Sequence, residues 1–257
     1  PVLRETADAL RAQDGRVTVT IVREPGQLHV IRIEPGDTTT RHFGVAVDVG
    51  TTTIAVHLIH LAMGRILATR SDYNGQIPCG LDVISRINYA NRPGGLEELR
   101  RRVLETVNRL IGQAAQSHSV DPHEITNAVI SGNTTMTHLL LGLKPDYIRL
   151  APYVPTLLEA PYLTAGDVGI DINLDSWVYF SPAVGSYVGG DITAGILCTD
   201  LAAGVESVHL FIDIGTNGEI VLGNRDFLMA CACSAGPAFE GGGIECGMRA
   251  ALGAIES

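Results

Sequence analysis

The sequence predicts an α/β protein built from two related subdomains that face each other across a cleft. Three observations carry this. The stretch Phe43–His60, FGVAVDVGTTTIAVHLIH, runs apolar into Asp48 and turns at Gly50-Thr51-Thr52-Thr53. It leaves through alternating Ile54, Val56 and Leu58, which is the pattern of a β-hairpin with a polar turn. The pattern returns at residues 209–223, HLFIDIGTNGEIVLG, where Asp213 answers Asp48, Gly215 answers Gly50 and Thr216 answers Thr51. Between the two lies the strongest helical periodicity in the chain, Leu96, Leu99, Val103, Val107, Leu110 and Ala114. One such turn is weak evidence, whereas two suggest paired jaws, each offering a glycine turn to the same ligand.

The remaining elements follow in order. Leu3 to Leu10 reads as a short helix. Val17, Val19 and Ile21 alternate with threonines, and after Glu24-Pro25-Gly26-Gln27 the stretch Leu28–Ile33 returns as the second arm of a small hairpin. Gly36 to His42 is a polar connection. After the Asp48 hairpin, Met63-Gly64-Arg65 turns the chain into a strand at Ile66–Ser71, which Asn74-Gly75-Gln76 and Pro78 break. Gly80-Leu81-Asp82 starts a helix with Val83, Ile84 and Ile87 on one face. The long helix spans Leu96 to Ser117, and its Arg100-Arg101-Arg102 run is a solvated surface. Ile125–Ile130 is a strand ending in Ser131-Gly132-Asn133-Thr134-Thr135, and a helix follows from Met136 to Leu141. That strand–turn–helix arrangement reads equally as an anion site or as a simple helix cap at Asn133 or Thr134. Residues 144–176, rich in proline, tyrosine and turn formers, give no assignment. Trp177–Phe180 resumes a strand, and Gly189-Gly190-Asp191 opens a helix expected to run to about Ala203, where the Asp191 carboxylate taken by itself reads as an N-cap. Asp226–Ala232 is a further strand. The glycine-rich Ser234–Gly243 and a helix at Ile244–Ile255 close the chain.

Composition narrows the function. At 257 residues the chain can bury one large core or two modest ones, and 46% hydrophobic against 18% charged residues describes a compact protein. A net charge of −10 without a basic stripe argues against nucleic acid as a partner. No apolar run reaches membrane-spanning length and no leader pattern opens the chain, so the expectation is a cytoplasmic protein that does not enter a membrane. The five cysteines do not suggest a disulfide framework. Cys231-Ala-Cys233 with Cys246 lacks the Cys-x-x-Cys spacing common at zinc and iron–sulfur sites, so buried free thiols are expected. The chain opens at Pro1 and stops soon after an apolar helical run, and it is expected to be a piece of a longer protein.

The chemistry lies in the turns. Glycine-turn amides can bind phosphate oxygens. An aspartate beside such a turn repels phosphate unless Mg²⁺, or water bound to it, lies between them. Asp48 and Asp213 are therefore candidate Mg²⁺ residues acting through water. Thr51, Thr52, Thr53 and Thr216 are candidate phosphate ligands, and Asp191 is a candidate to orient or deprotonate an attacking water. Neither a Walker A loop nor a Gly-x-Gly-x-x-Gly fingerprint is present.

Asp-x-Gly-Thr twice, with Gly-Gly-Asp between, resembles the acetate and sugar kinase, chaperone and actin superfamily. The strings GVAVDVGTTTIA, DVISRI, ISGNTTMTHLLLG, GSYVGGDITAGIL, IDIGTNGEI and SAGPAFEGGGI, in that order from about Phe43 onward, resemble the ATP-dependent reductive activators of corrinoid proteins. The resemblance implies an actin-like ATPase (ribonuclease H-like) fold with a mixed sheet flanked by helices. On this division residues 1–41 form a small region with a hairpin, 42–204 the first subdomain, and 205–257 the start of a truncated second one. It implies ATP and Mg²⁺ as cofactors, with Asp48, Gly50, Thr51, Thr52, Thr53, Asp213, Gly215, Thr216, Asn217 and Gly218 in nucleotide and metal roles. Asp191 takes the catalytic-water role, and Gly236, Gly241 and Gly242 lie beside the nucleotide. The partner it implies is a corrinoid protein of a methyltransferase system, reduced from Co(II) to Co(I). Electrons would come from a ferredoxin-like [2Fe-2S] domain, expected only in a missing upstream part. A homodimer is compatible with it. The stretch alone, without the cluster and the rest of the second lobe, is expected to be inactive. The alternatives are a small-molecule kinase of the same superfamily, with a substrate pocket lined by residues 151–162, and a non-catalytic scaffold that docks a partner.

Overall fold

The computed structural model of the chain describes residues 2–24 and 26–233. Helix α1 (Val2–Arg11) packs beside a two-stranded hairpin, β1 (Val17–Glu24) and β2 (Gln27–Pro35). A six-stranded mixed sheet follows, made of β3 (Phe43–Val49), β4 (Thr53–His60), β5 (Arg65–Tyr73), β6 (Ile125–Gly132), β7 (Leu163–Thr164) and β8 (Trp177–Phe180). Its order is β5-β4-β3-β6-β8-β7, with β3, β6 and β8 parallel and the outer neighbours antiparallel.

Parallel neighbours require crossovers, and helices supply them. Between β5 and β6 run α2 (Val83–Ala90) and α3 (Gly95–Gln116), and between β6 and β8 run α4 (Thr134–Leu141), α5 (Asp146–Arg149) and α6 (Ala165–Val168). The last two, with β7, occupy the proline- and tyrosine-rich stretch in which no periodicity marks an element. Leu99, Val103, Val107, Leu110 and Ala114 of α3 are fully buried, as their spacing predicts. They join Val47, Val56, Leu58 and Ile130 of the sheet in one core. Each large aliphatic side chain buried this way contributes about 1.5–3 kcal/mol. On α2, Val83 and Ile87 turn inward while Ile84 stays 42% exposed, so the apolar face is narrower than the sequence suggests.

Helix α7 (Gly190–Ile196) leads into a second, antiparallel sheet of β9 (His209–Ile214), β10 (Gly218–Gly223) and β11 (Leu228–Cys233), ordered β11-β10-β9. A smaller core of Val188, Ile192, Leu201 and Val221, with Phe211 packed on it, joins α7 to this sheet. The helix expected to reach Ala203 ends at Ile196 instead. The Thr199 hydroxyl donates to the Ile196 carbonyl at 2.7 Å, which competes with the helical ladder, and Thr199 itself is extended. A separate 3₁₀ turn at Asp200–Ala203 then buries Leu201. The expected strand at 226–232 is β11, and the expected helix at Ile244–Ile255 lies outside the described residues. Among the described residues no helix is long and apolar enough to cross a membrane.

Parallel pairing puts the carboxyl ends of β3, β6 and β8 at one edge of the sheet, the place where open α/β sheets bind ligands. At the other edge Arg41 clasps Glu124 through both carboxylate oxygens, at 2.8 and 2.6 Å. The Arg41 guanidinium holds the Glu124 carboxyl below its ordinary value of 4.5 against the opposing effect of burial. A depressed carboxyl contributes stability that is present above the unfolded value and lost as the pH falls through the folded one. Glu124→Gln is expected to lower stability by about 1 kcal/mol at neutral pH. In urea titrations the difference from the native protein should vanish as the pH drops below 4.5.

Candidate functional site

The first turn is held from behind. After β3 the backbone folds so tightly at Gly50 that a Cβ there would lie 2.6 Å from the Thr53 carbonyl oxygen. Asn74 donates to the Gly50 carbonyl at 2.9 Å, and the Asn133 amide donates to the Thr51 hydroxyl at 3.0 Å. Arg86, fully buried on α2, donates to the Thr51 carbonyl as well as to Gly80 and Gln76. The DVISRI string thus serves the turn through its arginine, while Asp82 caps α2 in a reciprocal bond with Ser85. Of the two readings of Gly132-Asn133-Thr134, helix capping is the one observed: Asn133 Oδ1 accepts from the Met136 amide at 2.9 Å. This cap starts α4 two residues earlier than the pattern suggested.

The second turn meets the first directly, with 2.9 Å between the Thr52 and Thr216 hydroxyl oxygens. Helix α7 enters the site by close backbone approach to Asn133 and Ser181. A Cβ on Gly189 would sit 2.4 Å from the Asn133 Cα, and one on Gly190 would sit 2.2 Å from the Ser181 carbonyl oxygen. The two glycines therefore let Asp191 reach the cleft. Gly189, not Asp191, is the N-cap residue of α7, and Asp191 Oδ1 accepts from the Ile192 amide at 2.9 Å.

These parts enclose a cavity of about 440 Å³. Asp48, Gly50, Thr51, Thr52, Thr53, Asp191, Asp213, Gly215, Thr216 and Asn217 all line it, joined by Tyr73, Asn133 and Glu219. No lysine or arginine lines it among the described residues. The crowding of carboxylates shows in their protonation. Burial first, and then Asp213, pushes the Asp48 carboxyl up, although Asp48 keeps an open face on the cavity. Burial pushes Asp191 up to about 6, opposed by the Ile192 amide and reinforced by Asp48 and Asp213. Glu219 is pushed up to about 7 by burial and then by Asp191 and Asp213.

Gly218 begins β10 and lines neither this cavity nor its neighbour; a Cβ on it would meet the Cys233 sulfur at 3.1 Å. Gly236, Gly241, Gly242 and Cys246 lie outside the described residues. Cys231 and Cys233 are free and exposed, contrary to the expectation of burial. Both point to the face of the second sheet that α7 does not cover, because they alternate with Ala232, which packs on the smaller core. The residue that motif reasoning missed is Glu219. Its signal was the alternation of β10, which puts Glu219 on the same face as the buried Val221 and opposite Asp213. A second cavity of about 420 Å³ adjoins the first through Asn133, Thr216, Asn217 and Glu219, with Val83, Ile84, Ser186 and Tyr187 on its far walls. Residues 151–162 do not line it; Tyr153 supports it from behind, against the Tyr187 ring and the Ser186 hydroxyl.

Paired aspartate turns around one cleft are the mark of an ASKHA-type fold, and residues 207–257 match the model described as the C-terminal domain of RACo, the ASKHA domain. Residues 43–204 match the RACo middle region, and the chain belongs to the RACo family. It is 39% identical over 215 residues to the corrinoid activation enzyme RamQ of Eubacterium limosum, covering 83% of this chain and 36% of that protein. It is 27% identical over 223 residues to the Co(II) methylated amine-specific corrinoid protein reductase of Methanosarcina barkeri, covering 83% and 40%. The solved structure of a reductive activator for corrinoid, iron–sulfur protein superposes with a TM-score of 0.87 at 50% identity, covering 97% of this chain and 40% of that one. The chain thus spans 36–40% of the length of these relatives.

The glycine contacts give a direct test of how Asp191 is delivered. Gly190→Ala, which drives a methyl group against the Ser181 carbonyl, is expected to destabilise the fold by about 2 kcal/mol in urea unfolding. Gly185→Ala, with nothing within 4 Å of its Cβ, should leave the unfolding midpoint in place.

Proposed function

We propose that this stretch is the nucleotide-binding ATPase module of a protein that reductively activates a corrinoid protein, taking Co(II) to Co(I) for methyl transfer. The observation that supports it most is the meeting of two aspartate-bearing turns and Asp191 on one cleft, in a chain of the RACo family. The donor set fits a hard divalent cation: the cleft offers carboxylate, hydroxyl and amide oxygens. Among the described residues no three acidic, histidine or cysteine side chains converge closely enough to hold a metal by themselves. That matches a Mg²⁺ whose remaining ligands are water and phosphate, with Asp48 and Asp213 holding it through water. Mg²⁺ bound there would neutralise charge between the carboxylates and a polyphosphate.

The residues of the chain then divide the work. Thr51, Thr52, Thr53 and Thr216 offer hydroxyls to phosphate oxygens, and the backbone at Gly50, Gly215 and Asn217 lets a phosphate approach closely. Asp191, fixed by the Ile192 amide, orients the attacking water. In the full-length protein the electron would arrive from a ferredoxin-like [2Fe-2S] domain, and closure of the cleft on ATP would drive the uphill transfer to cobalt.

The test uses the full-length protein. ATP hydrolysis is measured with and without a Co(II) corrinoid protein while Co(I) is followed by its absorbance. The expected result is hydrolysis coupled to appearance of Co(I). Phosphorylation of a small molecule in place of corrinoid reduction would instead favour a kinase that uses the second cavity. Asp48→Ala and Asp213→Ala are each expected to reduce Mg·ATP hydrolysis at least about 100-fold with the circular dichroism spectrum unchanged. Unchanged turnover in either variant would show the two-jaw account to be wrong.

A further inference from the structure

The two hairpins differ at one telling position. In the first, the residue directly across the ladder from Asp48 is Ala55. In the second, the residue directly across from Asp213 is Glu219. Directly opposed residues of an antiparallel pair project from the same face, and like charges there are destabilising. Alanine, as the first hairpin shows, serves the ladder without that penalty. Glu219 is also only 7% exposed, its carboxylate opens on the cavities it lines, and among the described residues no hydrogen bond or ion pair reaches it. A carboxylate that faces a like charge on the wall of a cavity is costly unless something in that cavity meets it.

The position of Glu219 says what that something is. It lines the first cavity together with Asp191, and it also lines the adjoining cavity, so it stands on the wall shared by the two. Asp191 already has one carboxylate oxygen committed to the Ile192 amide, which suits it to orient a water more than to take its proton. Resting on the ATPase reading above, we propose that Glu219 is a catalytic residue, the acceptor of the proton from the water that attacks the terminal phosphate. The water oxygen bonds to the terminal phosphorus as the bond from that phosphorus to the bridging oxygen breaks, and ADP departs with the bonding pair. The proton lost by the water passes to Glu219, which returns it to solvent through the adjoining cavity.

Glu219→Gln in the full-length protein keeps the shape of the side chain and removes the acceptor. ATP turnover is expected to fall about 100-fold. The affinity for Mg·ADP and for a non-hydrolysable ATP analogue, measured by calorimetry, should stay within about threefold, which corresponds to less than 1 kcal/mol. Glu219→Asp, a carboxylate drawn back by one methylene, should recover part of the turnover, which a merely structural role would not allow. Unchanged turnover in Glu219→Gln overturns the proposal. So does a loss of Mg·ADP affinity that accounts for the whole defect, because that outcome makes Glu219 a ligand-holding residue. If the native protein neither binds nor hydrolyses ATP, the ATPase reading itself fails and this role goes with it. If the native protein hydrolyses ATP and Glu219→Gln does so equally well, only this role fails.

Discussion

Four carboxylates, Asp48, Asp191, Asp213 and Glu219, face one cleft that no described lysine or arginine lines, and the rest of the site is arranged around that electrostatic constraint. Three of the four are pushed upward, first by burial and then by neighbouring carboxylates, so like charges oppose one another across the cleft. Such a cluster is stable only because a rigid scaffold holds it, and it is relieved when positive charge enters. A polyphosphate alone would add repulsion, whereas a divalent cation accompanied by phosphate removes it. On the function proposed above, the arrangement would favour a metal–nucleotide pair over the bare nucleotide.

The scaffold achieves this by close backbone approach. Gly50 folds onto Thr53, and Gly189 and Gly190 press against Asn133 and Ser181 at distances that exclude any side chain. Arg86, Asn74 and Asn133 fix the first turn from beneath, so that its position follows from α2, α4 and β5–α2 connections and not from the turn alone. The second jaw is held differently among the described residues. It rests on a core of Val188, Ile192, Leu201 and Val221 and on the hydroxyl contact between Thr52 and Thr216.

Much of this was legible in the sequence. Alternation in TIAVHLIH and HLFIDI gave both hairpins, and the 3.6-residue spacing of α3 gave the helix that covers the sheet. Ten of the residues singled out by motif do meet in one cavity, because both turns repeat a local chemistry that needs no tertiary context to be recognised. What depended on long-range contact was not legible. The end of α7 is set by one threonine hydroxyl, and the exposure of Cys231 and Cys233 by which face of a sheet is covered. Glu219 gains its meaning only from its cross-strand partner. The short elements in 144–176 form around tertiary contacts that no periodicity records.

The most direct test of the central claim is the nucleotide affinity of the full-length protein, measured by calorimetry with Mg²⁺ and again with the metal chelated. Binding at least about tenfold tighter with the metal is expected, a difference of about 1.4 kcal/mol or more. Equal affinity for ATP with and without metal would contradict it, because a cleft of four carboxylates cannot hold bare polyphosphate as well as the metal complex.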